Sequence, residues 1–408
     1  MDQPLIFDWN TSSHQQPFIA HPVETCDETL RDGIQSPSVV DPPIEHKKEL
    51  LGLMNDLGIT IANIGLPGAG PRAYNDVLAL AQFVRDNKFS IKVNCAARTH
   101  QADIAPIADA QQKVGIPITA YCFLGTSPIR QLVEDWSLER LKNTTDEALS
   151  FALKQGLKVA FVTEDTTRSD PNTLAVLFNH ALSLGVERLV LCDTVGHATP
   201  DGVMALVGFA KDIVKKSGTQ AALDWHGHND RGLALINALY AAHSGCERIH
   251  GTALGAGERV GNTSMDQLIV NLKLLGVFKH DVHAMEHYVE KASSYCQIPL
   301  PYTYPVFGAD AFRTATGVHA AAVIKAKKLG DSTLADTIYS GVPAHWFGKK
   351  QIIEIGPMSG ASNVKYWLKE QRLEASEDTI QALLHKAKNS NAVLTRLEIM
   401  NFLAKHHS

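Results

Sequence analysis

The sequence predicts an α/β protein, a closed (β/α)8 TIM barrel followed by a mostly helical C-terminal accessory region. Three observations predict it. Short apolar runs recur about every 25–40 residues, at 23–26, 59–66, 91–97, 118–124, 159–163, 189–192, 221–225 and 248–254. Segments with helical periodicity lie between them, among others 47–57, 74–84, 172–184, 202–215 and 233–243. Strands alternating with helices call for parallel pairing through right-handed crossovers, and eight such units in roughly 250 residues match a barrel. A doubly wound open sheet is the competing arrangement.

Taken in order, the runs end in polar residues. The first leads into Asp27-Glu28-Thr29-Leu30-Arg31-Asp32-Gly33-Ile34-Gln35, and the third stops at Arg98. The fourth precedes Gly125-Thr126-Ser127, the fifth Glu164-Asp165 and the sixth Asp193-Thr194. The seventh closes on His226 and His228, and the eighth leads into the glycine-rich stretch 255–262. In such barrels the chemistry sits at the C-terminal ends of the strands, which is where these residues fall.

After about residue 280 the alternation stops. Residues 281–330 read as largely helical around a proline-rich interruption at 299–305, and two final helices are expected at 377–388 and 395–405. The expected domains are an N-terminal arm over 1–20, a catalytic barrel over 21–280 and accessory subdomains over 281–408 that cover a barrel mouth.

Composition narrows the function. The chain has 408 residues, 45% hydrophobic and 20% charged, ordinary for a globular protein with a large core. A net charge of −5 with no long basic run argues against nucleic-acid partners. No apolar stretch is long enough to span a membrane, and the first twenty residues lack the basic start and apolar run of a secretory signal. None of the six cysteines forms a C-x-x-C pair, and the first four lie in apolar runs. Reduced, buried thiols in a cytoplasmic protein are expected.

The chemistry begins with Trp225-His226-Gly227-His228. Residues two apart on a strand point to the same face, so these imidazoles can share one divalent cation. A lone buried histidine is more often a hydrogen-bonded core residue, but a pair ending a strand at the active rim favours a metal. Asp32, beside Arg31 after the first strand, is read as a third ligand rather than a turn-forming Asp-Gly. One carboxylate and two imidazoles leave positions open for substrate and water. In 255–262 the spacing is wrong for a dinucleotide fingerprint. Asn262 is expected to cap the following helix in a tight turn, to add a fourth metal contact, directly or through a water, or to do both, since the two are compatible. Position alone gives His319 and Tyr339 no special standing.

Together these motifs resemble the α-isopropylmalate synthase, homocitrate synthase and HMG-CoA lyase superfamily. The likeness rests on 27–35, Asp193-Thr194-Val195-Gly196, His226-Gly227-His228-Asn229-Asp230 and 255–262. Further on, Thr316-Gly317-Val318-His319, 339–348 and Met358-Ser359-Gly360 are similar to elements of the synthases, among which the α-isopropylmalate synthases are nearest. The resemblance implies that acetyl-CoA condenses with an α-keto acid, 2-oxoisovalerate first, and that the CoA thioester is then hydrolysed, a step of leucine biosynthesis. It implies a divalent metal (Mn2+, Mg2+ or Zn2+) on Asp32, His226 and His228, with Asn262 nearby. Arg31 would stabilise the enolate or alkoxide, while Glu164, His319 and Tyr339 would handle protons and water. Thr194, Arg98 and Gln35 would contact substrate, and His319 would cross to the partner in a homodimer. The chain stops at Ser408, so the further domain of leucine-regulated synthases is expected to be missing.

The pattern departs from the synthases at several places. Asn63 stands where a glutamate is usual, Leu66 replaces a Phe, and Arg130 stands where a His is common. These bear on the acceptor, leaving pyruvate and 2-oxoglutarate as alternatives, with Arg98 and Arg130 as candidate cations for a second carboxylate. Arg231 and the run Ala320-Ala321-Ala322 also differ from the usual residues. The lyases carry a cysteine in the glycine loop, and 255–262 has none.

Overall fold

The computed structural model describes residues 6–10 and 17–406, so parts of the expected N-terminal arm, 1–5 and 11–16, lie outside the described residues. Eight strands form the barrel: β1 (Glu24–Asp27), β2 (Ile61–Asn63), β3 (Lys92–Arg98), β4 (Ile118–Gly125), β5 (Val159–Glu164), β6 (Arg188–Asp193), β7 (Ala222–Gly227) and β8 (Arg248–Gly251). They pair in parallel in chain order, and β1 closes on β8 with Cys26 opposite His250. The open-sheet alternative is thereby excluded.

Both faces of each strand are buried, one by the barrel interior and one by helices, which is why the strands read as nearly continuous apolar runs. The covering helices start and stop where local chemistry dictates. Asp170 accepts from the amides of Asn172 and Thr173 ahead of helix Pro171–Leu184, and Gly185 ends it in the left-handed region. Thr199 and Gly218 bound Pro200–Ser217 in the same way. Two runs are shorter than expected. At β2 the chain leaves the ladder after Asn63, and Gly65 takes φ +142°, where a Cβ would meet Val77 at 2.9 Å. After β8 it turns through Leu254 at φ 57°.

The barrel interior is layered. At its N-terminal end Arg248 pairs with Glu24 at 2.6 Å, Arg188 pairs with Asp224, and Tyr121 donates to Asp224 at 2.9 Å. Each of these charges has a partner, the condition for holding ions in a barrel core. Above them Tyr121, Ala160, Val190 and Cys192 pack together. The third layer is the mouth. All six cysteines are buried and free.

By its internal contacts the chain divides between Ile298 and Pro299 rather than at 280. Helix Met285–Cys296 belongs with the barrel because Tyr288 donates its hydroxyl to buried Asp27 at the end of β1. Burial pushes the Asp27 carboxyl up to about 6 despite bonds from Thr29 and Tyr288. A carboxyl raised above its unfolded value favours the folded state when protonated. That contribution is complete below about pH 4 and disappears as pH rises through 6. Stability is therefore expected to fall across this window by up to about 3 kcal/mol from this group. In urea melts at pH 4.5, 5.5 and 7, Asp27→Asn should flatten the profile; an unchanged slope would exclude Asp27 as its source.

The second unit, from Pro299, holds helices Gly317–Lys328, Ser332–Thr337, Ala361–Glu370, Glu377–Lys388 and Arg396–His406. The last two lie where they were expected, within a residue at each end. A short parallel pair joins Arg313–Thr314 to Ile352–Ile353. Its main core includes Ile355, Val364, Leu383, Ile399 and Leu403.

Candidate active site

The turn after β1 brings Arg31 and Asp32 over the barrel axis, just ahead of the tight helical turn Gly33–Gln35. His226 lies in β7 and His228 just beyond it, on the same face. The Asp32 carboxylate oxygen lies 3.1 Å from His226 Nε2 and 3.6 Å from His228 Nε2, and all three residues are buried. A divalent ion bound at about 2.0–2.2 Å by such donors sets them roughly 3–3.5 Å apart, so this set fits one cation. Burial and the neighbouring His226 push His228 down to about 4, leaving it neutral with a lone pair to give at neutral pH. For Asp32, burial raises the carboxyl, but Arg31 and the two imidazoles outweigh it and hold it well below the usual range.

Asn262 does not cap the next helix, which begins at Met265 after Ser264. Its backbone bridges to His228, its Nδ2 donates to Ala256 at 3.0 Å, and its buried Oδ1 has no hydrogen-bond partner. An unpaired oxygen acceptor there agrees with an ion nearby. The loop glycines serve the backbone. A Cβ on Gly261 would stand 1.9 Å from the Gly255 carbonyl, and one on Gly257 2.1 Å from Asn262 Nδ2.

A cavity of about 310 Å3 opens over this set. Arg31, Asp32, Gln35, Glu164, Thr194, His226 and His228 all line it, with Leu66, Ala96, Phe123 and Val162 forming an apolar wall. Glu164 ends β5, and its carboxylate has no hydrogen-bond partner among the described residues. Thr194 Oγ1 accepts from the Asp165 amide at 2.8 Å, so its own proton remains to be donated.

One expected residue, Arg98, is not brought to this cavity. Arg98 turns away, clamping Asp103 with bonds of 2.7 and 2.9 Å, and two-thirds of its side chain (67%) is exposed. Asp103 lies in the first turn of the next helix, Gln101–Val114, which makes the clamp a local brace rather than a substrate contact. His319 and Tyr339 belong to the second unit, where their exposed rings stack with centroids 4.1 Å apart.

Sequence reasoning missed several lining residues. Glu28 and His250 are almost fully buried, and Arg259 reaches both Asp230 and the Thr194 carbonyl. Glu28 could have been found from its spacing three before Arg31, and His250 from alternation with Arg248 along β8.

Fold and site together define a (β/α)8 barrel with a buried carboxylate and two histidines at its C-terminal mouth. The HMGL-like family model matches residues 22–292, and the chain belongs to that family. Among curated relatives, a probable 2-isopropylmalate synthase of Methanopyrus kandleri is 28% identical over 90% of this chain and 69% of its own length. A homocitrate synthase of Saccharolobus solfataricus is 26% identical over 90% of this chain and 76% of its own. Among solved structures, the HMG-CoA lyase of Bacillus subtilis superposes with a TM-score of 0.57 at 18% identity, covering 69% of this chain and 96% of that one. An HMG-CoA lyase of Acinetobacter baumannii in complex with coenzyme A and 3-methylmalate has a TM-score of 0.55 at 19% identity, covering 67% and 91%. These structures share the barrel fold. No helix among the described residues is long and apolar enough to cross a membrane.

Proposed function

We propose that this protein condenses acetyl-CoA with a 2-oxo acid, 2-oxoisovalerate first, and releases CoA and 2-isopropylmalate. The observation that carries the proposal is the carboxylate and two imidazoles with Arg31 beside them, in a cavity walled by apolar side chains. The synthase relatives, matched over 90% of this chain, support the class of reaction.

Asp32, His226 and His228 would hold a divalent cation, which would supply Lewis acidity toward the acceptor. Arg31 donates where negative charge develops on the enolate or alkoxide. Thr194 donates its hydroxyl proton to the acceptor carboxylate. Glu164 and the stacked pair His319 and Tyr339 move protons between acetyl methyl, alkoxide and water. A methyl beside a thioester is a poor acid, so a positioned base is required.

The cavity's charge supports a monocarboxylic acceptor. A second carboxylate, as in 2-oxoglutarate, needs a cation. Arg98 is taken by Asp103, Arg130 by Glu134 and Arg259 by Asp230, while Arg31 is held by Glu28. Neither Arg98 nor Arg130 lines the cavity.

The test is thiol release from acetyl-CoA against 2-oxoisovalerate, pyruvate and 2-oxoglutarate. A kcat/KM for 2-oxoisovalerate at least ~10-fold above both others is expected from burying its branched end on the apolar wall. A ranking led by 2-oxoglutarate would overturn the acceptor. Acetoacetate formed from HMG-CoA would overturn the reaction and favour a lyase.

A further inference from the structure

We propose that Glu28 is the positioning residue for Arg31, and that Asn63 and His250 complete its anchor. The inference rests on the reading of Arg31 as the donor to developing negative charge. It concerns how that donor is aimed.

The Glu28 carboxylate is buried at the foot of the cavity with 1% of its side chain exposed. Its Oε2 accepts three bonds: from Arg31 Nε at 2.9 Å, from Arg31 Nη2 at 2.6 Å and from Asn63 Nδ2 at 2.9 Å. Its Oε1 faces His250 Nδ1 at 3.2 Å. His250 in turn places Nε2 3.2 Å from Asp224, which is locked to Arg188 at the barrel base. Thus one edge of the guanidinium, Nε and Nη2, is committed to Glu28. The other edge, Nη1, is left facing the cavity, 3.9 Å from the Asp32 carboxylate. Arginine has five donors in a rigid plane, so fixing one edge fixes the direction of the rest.

The arrangement explains a departure in the sequence. Position 63, on β2, carries a neutral amide, and the carboxylate that holds Arg31 comes from the turn just after β1 instead. Glu28 lies three residues before Arg31 on the same turn, so the anchor, the arginine and Asp32 form one local unit. Asn63 donates to Glu28 with its Nδ2 and accepts from the Gly65 amide with its Oδ1. An amide suits that double role, and a second carboxylate there would face Glu28 with no proton to give.

The test uses the isosteric variant Glu28→Gln and the double variant Glu28→Gln with Asn63→Glu, which moves the carboxylate across to β2. The first readout is the Arg31 Nε–H resonance in 15N-arginine-labelled protein, assigned by its loss in Arg31→Lys. It should be slowly exchanging in the native chain, lost in Glu28→Gln and restored in the double variant. The second is steady-state kinetics. Glu28→Gln should lower kcat roughly 10–100-fold, as loss of a supporting carboxylate does, with KM for the 2-oxo acid within about threefold. The double variant should recover most of the loss. Bound metal and melting temperature report on folding alone. A persistent Arg31 resonance with unchanged kcat in Glu28→Gln, or a double variant no better than the single, would overturn the proposal. If the native chain released no CoA from any acceptor, the functional reading would fall and the resonance alone would decide the role of Glu28.

Discussion

Replacing His226 with alanine is expected to reduce CoA release to background and to abolish binding of a divalent ion. The argument is geometric. Asp32 sits between two imidazoles, 3.1 and 3.6 Å from their Nε2 atoms. Removing one imidazole leaves a carboxylate and a single histidine, too few protein donors to hold an ion in an open site. The fold should survive, because β7 is held through its backbone ladders to β6 and β8 and not through the His226 ring. Two measurements separate these effects. Metal content after dialysis should drop from about one ion per native chain to near none. Added Mn2+ should raise the melting temperature of the native protein, since a ligand that binds only the folded state stabilises it by about 3 kcal/mol at a hundred times its dissociation constant. The variant should show no such rise. His226→Ala protein that kept its ion and its turnover would refute the assignment of the three ligands. Chelation of the native chain, followed by readdition of Mn2+, Mg2+ or Zn2+, gives the same loss reversibly and ranks the ions.

That Asp32, His226 and His228 meet was legible from sequence because two simple regularities sufficed. Alternation along a strand puts His226 and His228 on one side, and parallel strands send every run's last residues to the same rim. The eight runs were legible for a related reason, since strands buried on both faces carry few polar interruptions. Their ends were less so. The apolar character of Ile64 and Leu66 continues beyond the last β2 pairing, and only the positive φ of Gly65 takes the chain out of the sheet. The helix Gln101–Val114 is obscured by Pro106 within its second turn. The boundary at 298 depends on Tyr288 meeting Asp27, a contact between residues 261 positions apart that no local pattern encodes.

The fate of individual charges was the least legible feature. Arg98 stands at the right end of the right strand, yet Asp103 five residues on captures it. Glu28 reads as one more polar residue of a motif until the pairing of β1 with β8 brings His250 beside it. Which cation pairs with which anion is settled by reach and burial in three dimensions, and those decide here that Arg31 points into the cavity while Arg98 does not.

Arg31→Gln is expected to lower kcat by about 10²–10³, or roughly 3–4 kcal/mol of barrier, the usual cost of losing one preorganised donor to a developing oxyanion. KM for the 2-oxo acid should change little, because the interaction strengthens only as charge builds on the reacting oxygen. Arg31→Lys should fare nearly as badly. An ammonium keeps the charge but cannot grip Glu28 Oε2 with two donors of one rigid plane and also present a further donor edge to the cavity. The exchange should also cost stability, and with a definite pH dependence. Burial raises the Glu28 carboxyl, but Arg31 and His250 outweigh it and hold it far below the ordinary glutamate range. A lowered carboxyl contributes stability that is present above its unfolded value, near pH 4.5, and lost as the solution is made more acid. Denaturation of Arg31→Gln should therefore show its largest deficit at neutral pH, shrinking as the pH is lowered below about 4. A deficit of constant size across that range would mean that Arg31 supports the fold by packing and not by its pair with Glu28. Retained metal and native-like kcat in the same variant would remove Arg31 from the chemistry, since the donor set at Asp32, His226 and His228 would then suffice without it.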